Sequence, residues 1–187
     1  MAQGKNGRDT NNDVDIRLKP VGFVRSSMVD PSLVAGADGL ERRSGYDERH
    51  GQLSEIIINS ELEGILDGIE GFSHLLVLYW AHRLSPEGRK LLKGHPMGRK
   101  EMPLTGIFAT CSPARPNPVL VTGVTLIERR GNVIVVEGLD AVDNSPVIDI
   151  KPYVPGYYCF NDTRRPEWMM RIEREFEQNS QKDEEGV

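Results

Sequence analysis

Apolar positions along the chain recur in short runs separated by Gly, Pro, Asn and Asp, and the spacing differs from run to run. Residues 19–25, Lys-Pro-Val-Gly-Phe-Val-Arg, alternate and predict a first strand. Residues 26–52 hold Asp30-Pro31, Gly36, Asp38-Gly39 and Arg-Arg-Ser-Gly, and read as a long functional or mobile loop. Residues 53–58, Leu-Ser-Glu-Ile-Ile-Ile, predict a strand. Ser60 then has the form of an N-cap, with Glu61 and Glu63 in the first turn and Leu62, Ile65 and Leu66 on one face, so a short helix is expected to stop near Gly68. Residues 74–81 form a continuous apolar run whose length and β-branched or aromatic content predict a buried strand. Residues 86–102 are charged and Gly-rich, with one helical turn expected. Three β-like runs follow, 104–110, 119–128 and 132–138, the last two flanking a hairpin turn at Arg130-Gly131-Asn132. Residues 147–150 make another strand, and Pro152, Pro155 and Gly156 end regular structure. Pro166 opens a C-terminal helix with Trp168, Met169, Ile172 and Phe176 on one apolar face.

This pattern predicts a mostly β chain: a small curved-sheet β-barrel with short peripheral helices and a C-terminal helix. The expected layout is a disordered polar tail over 1–14, the barrel domain over 15–160, and the C-terminal helix with an acidic tail over 161–187. The 19 Gly and 12 Pro fit many turns rather than a helical bundle. No apolar run approaches the roughly 18 residues of a membrane helix, so no membrane partner is expected. The N-terminus shows no secretory signal, and two cysteines, Cys111 and Cys159, are too few for a disulfide framework or a Cys-rich zinc site. A reducing cytoplasm is the expected compartment. The net charge of -5 argues against nucleic-acid binding by the field of the whole protein. Residues 83–100 are nonetheless basic, with Arg83, Arg89, Lys90, Lys93, Arg99 and Lys100 against Glu87 alone. Dinucleotide-binding, phosphate-loop, nucleophile-elbow and CxxC signatures do not occur.

Three segments carry candidate chemistry. In 106–118, Pro113, Pro116 and Pro118 stiffen a loop directly after a predicted strand and hold Arg115 and Asn117 between them. Such a loop either offers a cation and an amide to a ligand with little entropy left to lose, or is a connector whose arginine makes a surface ion pair. In 138–153, Asp140 and Asp143 flank a turn at Asp143-Asn144-Ser145-Pro146, and Asp149 interrupts an apolar strand with Lys151 as a same-face partner. The choice there lies between a carboxylate cluster beside a cationic ligand and turn acids plus a structural ion pair. In 72–82, His82 sits at the end of the buried strand, where barrel sites open, and is a better candidate than His74. His50 and His95 have no ligand-like spacing, so no metal site is expected.

Phe72-Ser-His-Leu, Gly106-Ile-Phe-Ala-Thr with Arg115-Pro-Asn-Pro118, and Leu139-Asp140 followed by Asp143 and Pro146-Val-Ile-Asp-Ile-Lys-Pro-Tyr153 together resemble the TsaA-like (TrmO/YaeB) family, from about Pro20 to Pro155. The resemblance implies a small β-barrel that binds S-adenosylmethionine, and a homodimer. It implies methylation of the exocyclic amine of threonylcarbamoyl-adenosine next to the anticodon of tRNA. The alternatives are a methyltransferase on a non-tRNA acceptor and a non-catalytic S-adenosylmethionine-binding regulatory module. By position, the donor site would comprise Tyr46, Asp47, Glu48, His82, Arg83, Cys111, Ser112, Arg115, Asn117, Val121, Asp140, Asp143, Asn144, Ser145 and Pro146. His82, Asp140 and Asp143 would be its catalytic candidates. The family's usual Arg stands as Cys111 here, and its usual Asp-Gly-Thr-Pro as Asp143-Asn144-Ser145-Pro146. Arg42, Arg43, Arg49 and the 83–100 segment would supply the basic surface for tRNA.

Overall fold

The computed structural model describes residues 16–31, 33–36, 39–42 and 52–185. Its strands are β1 (Gly22–Arg25), β2 (Leu33–Gly36), β3 (Gly39–Arg42), β4 (Leu53–Ile58), β5 (His74–Trp80), β6 (Lys93–Gly94), β7 (Thr105–Gly106), β8 (Val119–Arg130), β9 (Val133–Glu137) and β10 (Pro146–Pro152). Two α-helices follow, α1 (Pro155–Tyr158) and α2 (Glu167–Glu185). Six strands close into an antiparallel barrel in the order β1-β10-β5-β8-β9-β4, the mostly β architecture that the sequence predicts. Period-two alternation turns one side of each strand inward. Val24, Ile56, Ile58, Leu75, Val77, Tyr79, Val124, Ile134, Val136 and Val147 fill the interior, each at most 2% exposed. β10 has a register shift between Val147 and Asp149 against β5. Past this shift Asp149 lies partly exposed and pairs with Lys151 at 2.6 Å, so Asp149 makes the structural ion pair and takes no part in the site described below.

Four elements differ from the sequence expectation. Inside 26–52, β2 and β3 form a hairpin, with Leu33 opposite Arg42 and Gly36 opposite Gly39, too short for periodicity to register. The run 104–110 is not a barrel strand. Only Thr105–Gly106 pair, with β6, and Ile107–Ala109 turn into a 3-10 helix. The Thr110 hydroxyl donates to the Ile107 carbonyl at 2.8 Å, a local bond that competes with ladder formation. The segment after β4 is a 3-10 helix, Ser60–Leu66, and the residue before it is Asn59 rather than a Ser60 cap. Asn59 makes no side-chain cap bond, and its amide instead donates to the Pro20 carbonyl at 3.2 Å. Pro155 begins a single turn of helix instead of ending structure, since its missing N–H is no loss at a helix start.

The C-terminal helix forms as expected. Trp168, Met169, Ile172 and Phe176 face Gly94–Met97 and the 107–112 stretch across one apolar cavity. Arg99 bonds Glu175 and fastens α2 to the chain just after the Pro96–Gly98 turn.

Candidate functional site

Antiparallel pairing decides where the site forms. β5 lies between β8 and β10, so the beginnings of those two strands sit beside the end of β5. Trp80 is opposite Val119, and Tyr79 is opposite both Leu120 and Val147. The proline-rich loop that precedes β8 and the aspartate-bearing turn that precedes β10 therefore meet at His82. Ala81 N–H donates to the Pro118 carbonyl at 2.9 Å, tying the end of β5 to the proline loop. The three segments enclose a cleft of about 620 Å³, counting its solvent-open mouth.

Apolar groups of Met28, Pro31, Ala81, Pro113, Leu120 and Val142 line the cleft, together with Tyr79, His82, Arg83, Cys111, Asp140 and Ser145. Tyr79 is buried, and its hydroxyl donates to Asp140 Oδ1 at 2.6 Å. Thr122 Oγ1 donates to the same oxygen at 2.6 Å. Two hydroxyls on separate strands thus aim one carboxylate. His82 Nδ1 is 3.4 Å from the buried Ser145 Oγ. Burial lowers the His82 pKa from its ordinary value, the neighbouring Arg83 lowers it further, and Asp143 opposes both. The two leading effects favour the uncharged ring. Arg83 itself reaches Asp30 at 3.3 Å.

Of the residues singled out from the sequence, His82, Arg83, Cys111, Asp140 and Ser145 come together on this cleft. Asp143 stands behind it. Its Oδ1 accepts from Ser26 N–H at 3.0 Å and its own N–H donates to the Met28 carbonyl at 2.7 Å, which holds the Met28 wall in place. Asn144 has φ 62°, a left-handed conformation that Asn tolerates better than most residues. That explains how Asn replaces the glycine that the family resemblance places here. The Asn144 side chain donates to Asp143 Oδ2 at 2.6 Å.

The remaining candidates lie elsewhere. Arg115 turns back on its own loop, donating to the Thr110 and Ser112 carbonyls at 2.8 Å each, on either side of Cys111. It braces the loop and makes no ion pair among the described residues. Ser112 is buried, and its Oγ accepts from Ala114 N–H at 3.1 Å. Asn117 and Pro146 border a separate outer groove with Trp80, and Val121 points outward from β8. Tyr46, Asp47 and Glu48, with Arg43 and Arg49, lie outside the described residues. Sequence reading missed Tyr79 and Thr122. Alternation marks Tyr79 as inward, but nothing local shows that it ends on Asp140.

The cleft suits a ligand with a positively charged centre and a flat apolar group: one carboxylate fixed by two hydroxyls, between aliphatic walls. Comparison with known proteins bears on this directly. The family described as the tRNA-methyltransferase O N-terminal domain matches residues 42–159. A probable S-adenosyl-L-methionine-binding protein of Methanothermobacter thermautotrophicus is 45% identical over 141 residues, 75% of this chain and 92% of that protein. A mouse tRNA (adenine(37)-N6)-methyltransferase is 37% identical over 95 residues, 51% of this chain but 22% of that protein. The crystal structure of TrmO from Pseudomonas aeruginosa superposes with a TM-score of 0.60 at 24% identity, over 81% of this chain and 62% of that one, and so shares the fold.

Proposed function

The chain belongs to the family of tRNA-methyltransferase O N-terminal domains, and from that premise we propose that it uses S-adenosylmethionine to methylate the exocyclic amine of an adenosine beside the anticodon of tRNA, with threonylcarbamoyl-adenosine as the acceptor. The observation that carries the donor half of this reading is the convergence of the 111–113 loop, the 140–145 turn and His82 on one cleft. The acceptor half rests on the mouse relative's activity.

S-adenosylmethionine, when bound, supplies an electrophilic methyl group on a positively charged sulfur. Asp140 provides the counter-charge for that cation, and Met28, Leu120 and Val142 shield it from water. Cys111 and Ser145 complete the polar lining. Methyl transfer of this kind asks chiefly for alignment, which the doubly bonded Asp140 and the proline-stiffened loop supply. The acceptor amine loses a proton as it gains the methyl group. In this reading His82, in contact with Ser145, takes that proton. Calorimetry with S-adenosylmethionine and mass spectrometry of tRNA nucleosides from a deletion strain test the two halves separately. Micromolar donor binding and loss of one methylated adenosine are expected. Donor binding with an unchanged nucleoside profile would leave the alternatives of another acceptor or a donor-binding module.

The lowered pKa of His82 fixes the sign of a second prediction. Turnover should rise along an acid limb that lies below the ordinary histidine value of 6.5 and be flat above it. As the pH falls through 6.5, the unfolded chain takes up this proton before the folded one, so the site's contribution to stability is present above that value and is lost below it. His82→Gln should abolish the acid limb, lower turnover about a hundredfold and flatten the acid side of the stability profile. A pH–rate profile and melts across the same range measure both. An unaltered acid limb in the variant would remove His82 as the base.

A further inference from the structure

Beside the cleft the chain exposes an aromatic ring that the donor site does not use. Phe108 is 79% exposed, an unusual state for a phenyl group that packing could have buried. It lies three residues before Cys111, which lines the cleft. The 3-10 turn that buries Ile107 directs Phe108 the other way. The Arg115 guanidinium lies over the ring, 6.0 Å from its centroid, and is itself held by the Thr110 and Ser112 carbonyls. One face of the ring is thus backed by a fixed cation, and most of the ring stands in water.

The neighbouring strand adds a cation beside exposed Leu92. β6 pairs with β7 so that Lys93 is opposite Gly106, and Ile107 N–H donates to the Leu92 carbonyl at 3.0 Å, which brings Lys93 beside the turn that carries Phe108. Lys93 is exposed, and no carboxylate pairs with it among the described residues. This local surplus of positive charge stands on a chain whose net charge is -5.

An exposed aromatic ring backed by a guanidinium and flanked by a free lysine is the chemistry that holds an unpaired base and its phosphate. We propose that Phe108, braced by Arg115 and flanked by Lys93, is the stacking platform for an unpaired base of the acceptor RNA, adjacent to the nucleotide whose amine enters the cleft. Within a duplex, stacking covers both faces of every interior base, so the platform selects looped RNA over helical RNA. The inference rests on the RNA-acceptor reading above, and Phe108 acts in it as a positioning residue.

The test uses the full chain and a fluorescent 17-nucleotide anticodon stem-loop, with a blunt duplex of the same stem sequence as control. Phe108→Ala should weaken stem-loop binding about tenfold, leave duplex binding unchanged, and leave S-adenosylmethionine affinity by calorimetry unchanged. Phe108→Trp should restore stem-loop affinity and add a tryptophan signal quenched by the stem-loop but not by the duplex. Equal stem-loop binding by wild type and Phe108→Ala overturns the platform while leaving the RNA reading intact. A wild type that binds the donor but no RNA overturns both. A change of molar mass in light scattering on Phe108→Ala makes the ring a contact between copies of the chain, and also overturns it.

Discussion

Asp140→Asn is expected to weaken S-adenosylmethionine binding by ten- to hundredfold while leaving the fold intact. The amide oxygen of Asn accepts the Tyr79 and Thr122 hydroxyls as Asp140 Oδ1 does at 2.6 Å, so shape and hydrogen bonds survive and the charge alone is lost. A unit charge about 5 Å from a cation, at an effective dielectric constant of about 20, is worth about 3 kcal/mol. Asp140 is half-buried, and solvent reduces this to roughly 1.5–3 kcal/mol, the stated range of affinity. Asp140→Ala should behave differently. It strips the closest acceptor from the buried Tyr79 hydroxyl, which keeps only longer contacts such as those with Thr122 at 3.2 Å and the backbone carbonyl of residue 140 at 3.4 Å. An added loss of about 1–3 kcal/mol in folding stability follows. Calorimetry reads the first effect and denaturant melts the second. Wild-type donor affinity in the Asn variant would show that the cation does not sit against this carboxylate.

The two variants also show what the sequence does and does not make legible. The barrel strands were readable because a buried strand is a short run rich in β-branched and other apolar residues, as 53–58 and 74–80 are; that alternate positions of both runs turn inward appears only in the fold. The turn acids were readable because Asp143-Asn144-Ser145-Pro146 is turn chemistry wherever it occurs. Run 104–110 misled because an apolar run of that length fits a strand, whereas a threonine at its end supplies a local bond that periodicity does not count. Arg115 was conspicuous between prolines, yet the same prolines curve the loop until its own carbonyls are the nearest acceptors. The link from Tyr79 to Asp140 spans 61 positions and is set by strand order, which no local pattern encodes. The cleft itself depends on the starts of β8 and β10 flanking the end of β5. Its members were visible as separate candidates, and their union required the topology.

Gly22→Ala should cost about 3 kcal/mol or more of stability and should damage the cleft along with the barrel. The barrel closes through β1, four residues long, where Gly22 lies opposite Ile58 on one side and Val147 on the other. A Cβ at position 22 would stand 2.3 Å from the Ile57 carbonyl oxygen and 2.9 Å from Ile58 Cα. Both are backbone atoms of a paired strand, so no side chain is there to swing aside, and β1 must move away from β4. The same strand supports the aspartate turn. Val24 N–H donates to the Ser145 carbonyl at 3.0 Å, Asn144 N–H donates to the Val24 carbonyl at 2.8 Å, and Ser26 N–H reaches Asp143. Moving β1 therefore displaces the segment that carries Ser145 and orients the Met28 wall. Hydrogen exchange should rise first at residues 144–147, and donor affinity should fall in step. Gly123→Ala is the matched control. A Cβ there meets only Leu76 Cδ2, at 3.8 Å, an ordinary contact, and stability should change by less than about 0.5 kcal/mol. Similar melting of the two variants would mean that the seam has slack the close approach at Gly22 denies. A large difference, with exchange concentrated at the aspartate turn, would tie closure of the barrel to the integrity of the site.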